Sequence, residues 1–163
     1  MKQPFESLVE QHGATVLGVC RVVLGPHDAD DAWSETFLSA LRAYPDLPET
    51  ANAQAWLVTI AQREVIDVLR TKKRSPPPVD EAPDAAAGPR VLDAGAAGLW
   101  ATMRELPDQQ RRAVAYRYVA GLAYTEIAEI LGGTPEAARR AAADGLKHLR
   151  KHHPGALTKG AMP

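Results

Sequence analysis

The chain has 163 residues and a formal net charge of −1, so it is long enough for one medium domain or two small ones. The near-neutral charge excludes a protein that coats nucleic acid indiscriminately, and a single cysteine, Cys20, excludes an internal disulfide. The first residues lack the apolar core of a secretory signal, and the longest apolar run, Ala14 to Cys20, is too short to cross a bilayer. These features predict a cytoplasmic protein that does not contact a membrane.

Apolar residues at helical spacing predict three helices in the first half of the chain. The predicted bounds are Phe5 to Leu24, Asp28 to Ala43, and Ala53 to Lys73. Asp28 suits the N-cap of the second helix, from which Leu38 and Leu41 are expected to face the core. A loop with two prolines precedes the third helix, and Asn52 suits its N-cap.

Charge is unevenly distributed over these helices. Residues 1–50 contain eight acidic and three basic side chains, and Asp30, Asp31 and Glu35 fall near one another on the second helix. Residues 70–74 contain four basic side chains and no acidic one. The acidic group is either a solvated helix start or a docking surface for a basic partner. The basic end either complements the helix dipole or contacts nucleic-acid phosphates.

The middle of the chain predicts a flexible linker. Ser75 to Gly98 is rich in proline, alanine, glycine and aspartate, so it cannot bury enough apolar surface to offset its ordering entropy. Two further helices are expected over Leu99 to Leu106 and Asp108 to Ala120, with Trp100 and Met103 facing inward. The sequence therefore predicts an all-α protein with two small helical domains. Their bounds are 1–74 and 99–153, with a linker at 75–98 and a tail at 154–163.

The stretch Tyr124 to Lys151 has the pattern of a helix-turn-helix. Gly132-Gly133 ends a first helix, Thr134 suits the next N-cap, and Pro135 suits the first helical position. One face of the second helix is apolar, at Ala138, Ala142, Leu146 and Leu149. The opposite face carries Glu136, Arg139, Arg140, Lys147 and Arg150. This pattern is typical both of a DNA-reading helix and of an ordinary solvated hairpin.

Catalytic and metal-binding patterns are missing from the sequence. It contains no glycine-rich phosphate loop and no plausible pairing of nucleophile and base. His152 and His153 have no partners at metal-ligand spacing. We therefore expect no enzyme activity, metal or cofactor.

Three motifs, in this order, resemble the bacterial RNA polymerase sigma factors of the extracytoplasmic-function (ECF) group of the sigma-70 family. DADDAWSETFLSAL, from Asp28 to Leu41, is similar to that group's polymerase-binding helix. AWLVTIAQREVIDVLRTKKR, from Ala55 to Arg74, is similar to its promoter-melting helix, and LPDQQRRAVAYRYVAGLAYTEIAEILGG, from Leu106 to Gly133, to the start of its −35-binding domain. The resemblance implies two domains, core RNA polymerase and promoter DNA as partners, and a role in transcription initiation.

The resemblance also implies roles for particular residues. Polymerase contacts are expected from Asp30, Asp31, Ser34 and Glu35. Contacts to the −10 element are expected from Asn52, Gln62, Arg63, Arg70, Lys72, Lys73 and Arg74. Contacts to the −35 element are expected from Thr134, Glu136, Arg139, Arg140, Lys147 and Arg150.

Several positions depart from the family pattern. Ser34 replaces the usual glutamine, and Gln62-Arg63 replaces an Arg-Asn pair. Asp144 stands at a position where the family commonly has a basic residue. These departures motivate an alternative, a sigma-like DNA-binding regulator that does not act with core polymerase. Whether an anti-sigma factor clamps the two domains is left open.

Overall fold

The computed structural model describes residues 2–74 and 101–152, apart from the side chains of Lys72, Lys73 and Arg74. The predicted linker and tail, together with Trp100, lie outside the described residues. The helices are α1 (Phe5–Leu24), α2 (Pro26–Ala43), α3 (Ala53–Arg74), α4 (described over 101–105), α5 (Asp108–Val114), α6 (Tyr124–Leu131) and α7 (Pro135–His152). A 3₁₀ turn covers Tyr44–Asp46, and a π-helical turn covers Ala115–Val119. Over these two ranges no residue is in a β-strand, which confirms the all-α class.

The ends of the first three helices follow from local chemistry. Gly25, at φ 101°, makes the sharp turn between α1 and α2. α2 begins at Pro26, so the predicted start at Asp28 was wrong, because the fixed φ of proline suits the first position of a helix. Asn52 caps α3 as expected, since its Oδ1 accepts a hydrogen bond from the Ala55 backbone N at 3.2 Å.

α1, α2 and α3 pack around one core, and we call this three-helix body the N-terminal half. Leu8, Val16 and Cys20 of α1 are buried against Phe37 of α2 and Leu57 of α3. The Trp33 indole N–H donates to the Gly13 carbonyl at 2.9 Å, which joins α2 to α1. The half therefore has its own apolar centre and a polar tie between its first two helices.

The inward face of α2 differs from the prediction. Leu38 and Leu41 are 47% and 52% exposed, so their expected inward orientation was wrong. Phe37, three alanines and Thr36 occupy the buried face, and the Thr36 hydroxyl donates to the Ala32 carbonyl at 2.7 Å. With its hydroxyl satisfied inside the helix, Thr36 is buried without an unpaired polar group.

α4 to α7 form the C-terminal half, in which α6 and α7 are the helix-turn-helix. Gly132 ends α6 in the left-handed conformation, at φ 81°. Thr134 caps α7 as expected, because its Oγ1 accepts from the Ala137 backbone N at 3.1 Å. α7 packs closely on α5 at Gly145, where an added Cβ would lie 2.6 Å from a methyl carbon of Val114.

The two halves are packed together through a shared core, and we call this the closed arrangement. Val19 of α1 and Val58 and Val65 of α3 are fully buried in one cluster with residues of the C-terminal half. The largest of these is Tyr116 of the π-helical turn, which is 0% exposed. The apolar faces of α1 and α3 that the N-terminal half does not use are therefore covered by the C-terminal half.

Candidate functional site

The exposed face of α2 combines acidic and apolar side chains. Asp30, Asp31, Ser34 and Glu35 are all exposed, as their predicted role requires. Leu38 and Leu41 follow Ser34 at i+4 and i+7, so they lie on the same side of the helix as the acids. We call these six residues the α2 face. A surface with exposed leucines among carboxylates is typical of a protein-binding site.

Negative charge continues from the α2 face onto α3. The pKa of Glu64 is raised by burial, by the carboxylate of Asp67 and by that of Glu35. The carboxylate of Glu35 therefore lies close enough to Glu64 to disfavour ionisation of the Glu64 side chain. Glu64 was not identified from the sequence, because its distance from Glu35 depends on how α2 and α3 pack.

The promoter-melting motif places neighbouring residues on opposite sides of α3. Gln62 is only 6% exposed, and its Oε1 accepts a hydrogen bond from the hydroxyl of Tyr116 in the other half. Arg63 and Arg70 are exposed to solvent. The remaining three predicted cations, Lys72, Lys73 and Arg74, have side chains outside the described part of the chain.

Asn52 is also engaged by the C-terminal half. Besides capping α3, its Nδ2 donates to Oε2 of Glu126 at 2.5 Å, and the other oxygen of Glu126 accepts from the Ala123 backbone N at 2.9 Å. The Gln54 side chain donates to the Ala120 carbonyl nearby. Among the four residues with described side chains that are expected to contact the −10 element, Asn52 and Gln62 are therefore hydrogen-bonded to the C-terminal half.

The outer face of α7 is open to solvent. Glu136, Arg139, Arg140, Lys147 and Arg150 are all exposed, as is Asp144 among them. Arg139 is further fixed by an aromatic contact, because its guanidinium carbon lies 5.0 Å from the centroid of the Tyr124 ring. The guanidinium carbon of Arg117 lies 4.4 Å from the same centroid. Neither Tyr124 nor Arg117 was identified from the sequence.

Other kinds of site find no support in residues 2–74 and 101–152. No three histidine, cysteine or acidic side chains there are placed to hold a metal ion. Burial raises the pKa of the Cys20 thiol to about 12, which disfavours the nucleophilic thiolate. No helix in these ranges has the length and apolar character needed to span a bilayer.

Comparison with known proteins identifies the family. The chain matches the family model for sigma-70 region 2 over residues 8–75 and that for sigma-70 region 4 over residues 97–149. The ECF RNA polymerase sigma factor SigK of Mycolicibacterium vanbaalenii is 25% identical over 159 residues, covering 91% of this chain and 81% of that protein. RNA polymerase sigma factor CarQ of Myxococcus xanthus is 31% identical over 152 residues, covering 90% and 87%. The chain belongs to the ECF group of the sigma-70 family.

Membership of this family gives the general function. The sigma factor works with core RNA polymerase in promoter-specific transcription initiation, and it is not an enzyme. The region 2 match coincides with the N-terminal half, and the region 4 match covers α6 and α7 as far as residue 149. The predicted family, fold class and general function are confirmed.

Solved structures show the same fold. The sigma factor RpoE of Bartonella quintana, in complex with the anti-sigma factor NepR, superposes with a TM-score of 0.77 at 16% identity, covering 93% of this chain and 97% of that one. CnrH, in complex with the cytosolic domain of CnrY, gives a TM-score of 0.65 at 20% identity, covering 90% and 85%. At these identities the likeness concerns the fold alone.

Proposed function

We propose that the sigma factor docks on core polymerase through the α2 face. Its acidic residues, Asp30, Asp31 and Glu35, would meet a basic surface, and Leu38 and Leu41 would supply apolar area between them. The observation that carries this proposal is the exposure of two large leucines in the middle of a carboxylate-rich helix face. Charged groups steer association and select the partner, whereas the apolar area that Leu38 and Leu41 would remove from water adds to the strength of binding.

Two variants of the α2 face test the docking. Reversing the charge of Asp30, Asp31 and Glu35 together should abolish binding to core polymerase in a titration, because like charges across an interface cost several kcal/mol. Replacing Leu38 and Leu41 by serine should weaken binding by at least about tenfold, since burying a leucine contributes roughly 1.5–3 kcal/mol.

A matched control separates this docking from an effect of net charge. Reversing Glu6, Glu10 and Asp46, three exposed acids outside the α2 face, makes the same change in net charge and should leave binding intact. If the α2 charge-reversal variant binds core polymerase as tightly as the parent, the assignment of this face is wrong.

We propose two DNA-binding units, with bounds of 1–74 and 99–153. Asn52, Gln62, Arg63 and the basic end of α3 would hold the opened −10 element, with cations on the backbone and bases in protein pockets. Thr134, Glu136, Arg139, Arg140, Lys147 and Arg150 would contact the −35 element. An arginine of α7 that reaches a guanine can pair with it bidentately, whereas Lys147 and Arg150 suit phosphate contacts.

The closed arrangement implies an order of events. Gln62 and Asn52 are bonded to the C-terminal half, whereas the α2 face is exposed. We therefore propose that the closed sigma factor can dock on polymerase, but that its halves must separate before the −10 element can reach α3. Separation would also allow each half to reach its own promoter element.

Transcription with purified components tests the whole proposal. The sigma factor with core polymerase should give discrete run-off products from fragmented genomic DNA, and core polymerase alone should not. Binding to promoter fragments without any binding to core polymerase would instead favour a regulator that does not act with polymerase. Ser34, Gln62 and Arg63, where the chain departs from the family pattern, motivate that second candidate.

We also propose that an anti-sigma factor regulates the protein, and that it works in the cytoplasm with its polymerase. RpoE and CnrH, two structures with this fold, are solved with an anti-sigma factor and with the cytosolic domain of CnrY, respectively. Limited proteolysis of the predicted linker, Ser75 to Gly98, tests whether a candidate inhibitor clamps the two halves. Unchanged cleavage in the presence of a bound candidate would count against clamping.

A further inference from the structure

We propose that Tyr124 is a positioning residue that aligns Arg117 and Arg139 as a pair for binding DNA phosphate. This inference rests on the proposed role of α7 at the −35 element and adds two residues to that site. The three side chains come from three successive parts of the C-terminal half: the π-helical turn, the first residue of α6, and α7. The tyrosine ring is thus the common surface on which two arginines from different elements meet.

The geometry fixes both arginines. Their guanidinium carbons lie 4.4 Å (Arg117) and 5.0 Å (Arg139) from the centroid of the Tyr124 ring, within the range of a cation–π interaction. Arg117 is held further because its Nη1 donates to the Leu122 carbonyl at 3.1 Å. Arg139 is exposed, so it keeps an open side for a ligand.

The two positive charges of Arg117 and Arg139 favour an anionic ligand. Among the described side chains, carboxylates contact Arg111 and Arg112 through Asp108, and the His148 ring through Glu105, and none contacts Arg117 or Arg139 at ion-pair distance. Two guanidinium groups therefore lie within 5.0 Å of one neutral ring, and in the described ranges neither is paired with a carboxylate. A DNA phosphate supplies the matching charge and several acceptor oxygens.

Preorganisation explains why a tyrosine matters at a site where arginines make the contact. A free arginine side chain loses much rotamer freedom when it binds a phosphate, and stacking on a ring removes part of that freedom beforehand. Phosphate contacts carry no sequence information but fix the register of a protein on the duplex. Holding Arg117 and Arg139 on one ring would therefore set how the helix-turn-helix sits on the DNA backbone.

The test uses the full chain and a fluorescent duplex of about 30 mixed-sequence base pairs, because phosphate binding does not require the promoter sequence. Anisotropy titrations at several KCl concentrations give the affinity and its salt slope. Replacing both arginines by alanine should flatten the log–log slope by about 1.8, or roughly 0.9 for each lost phosphate contact. Tyr124→Leu, which changes no charge, should weaken binding about threefold to tenfold, and Tyr124→Phe should restore the parental affinity because it keeps the ring.

A double-mutant comparison separates positioning from a general structural role. If Tyr124 acts through the arginines, Tyr124→Leu should change the affinity by less than about 1.5-fold once both arginines are alanine. An equal loss in both backgrounds would overturn the inference. Tyr124→Met, which retains more flexible apolar volume, should reproduce the loss of Tyr124→Leu while the unfolding midpoint shows that the protein remains folded.

The outcomes also distinguish this inference from the proposed function. If the arginine double variant binds with the parental affinity and salt slope, or if the parent does not bind the duplex at low salt, the assignment of α7 to DNA fails and the inference fails with it. If the arginine variant loses affinity but Tyr124→Leu does not, α7 remains a DNA-binding helix and only the positioning role is rejected.

Discussion

Removing a single oxygen atom, with Tyr116→Phe, should loosen the packing between the two halves of this sigma factor. The ring of Tyr116 is 0% exposed and its hydroxyl donates to Oε1 of Gln62, which is itself 6% exposed. Phenylalanine keeps the apolar volume of the ring but leaves that glutamine oxygen buried without its donor. An unsatisfied buried acceptor costs about 1–3 kcal/mol.

The free energy lost with the Tyr116–Gln62 hydrogen bond is large enough to change how often the two halves separate. A loss of about 2 kcal/mol shifts the equilibrium between docked and separated halves roughly thirtyfold, since each 1.4 kcal/mol is a factor of ten. Urea unfolding gives the change in free energy, and small-angle scattering reports separation as a radius of gyration above the value of about 15 Å expected for a compact chain of this length. Gln62→Leu, added to Tyr116→Phe, should cost little more, because both partners are then apolar.

A matched control uses another tyrosine hydroxyl that does not join the halves. Tyr44 donates to the Gln3 carbonyl inside the N-terminal half, so Tyr44→Phe should lower stability without changing the radius of gyration. The reasoning is refuted if Tyr116→Phe unfolds at the parental urea concentration. It is also refuted if Tyr116→Phe and Gln62→Leu have fully additive effects, because additivity would mean that the two side chains do not interact.

Three further changes probe the packing, the capping and the protonation of the protein. Gly145→Ala should lower the free energy of unfolding, measured in urea, by about 1–3 kcal/mol, because its Cβ would lie 2.6 Å from a methyl carbon of Val114. Gly133→Ala is the control, because its Cβ would have no heavy atom within 4 Å, and it should lower the free energy of unfolding far less. Thr134→Ala should cost about 1 kcal/mol through loss of the α7 cap, and an unchanged melting temperature would contradict that role. Burial raises the pKa of Cys20 to about 12, whereas an unfolded thiol has a pKa of about 8.5. The stabilisation from its neutral folded form is therefore complete below about pH 8.5 and is lost as pH rises towards 12. Cys20→Ala should make the alkaline fall in stability shallower, and identical pH profiles would contradict this account.

The sequence predicted most helices well because the residues that cap and end a helix act locally. Phe5–Leu24 was predicted with the bounds observed, and the turn at Gly132 with the cap at Thr134 was also correct. Such signals depend only on neighbouring residues, so they do not change with the tertiary packing of the rest of the chain. The face of α2 was harder, because that helix has apolar residues on two sides. Leu38 and Leu41 are exposed, whereas Phe37, Thr36 and three alanines are buried, so apolar character alone was a misleading guide to orientation.

The contacts between the halves could not be predicted from local pattern. Tyr116 and Gln62 are 54 residues apart in sequence, so no local pattern links the two residues that bond across the halves. The same limit applies to the ring shared by Arg117 and Arg139, whose elements come together only when α7 folds back on α6. Periodicity finds the buried face of each helix, but it does not say which other helix covers that face.

The closed arrangement divides the predicted site residues into two groups, and the division itself supports an order of assembly. The α2 face and the outer face of α7 are exposed, whereas Gln62 is buried and Asn52 is bonded to Glu126. A ligand shifts a conformational equilibrium only by its differential affinity for the two states. Duplex DNA that touches α7 alone gains nothing from separation of the halves. By contrast, a polymerase that holds both halves at a fixed distance, or a melted −10 strand that binds α3, favours the open state directly. Free sigma factor should therefore bind a single-stranded −10 segment poorly, and Tyr116→Phe should improve that binding by up to the same thirtyfold that it shifts the opening equilibrium.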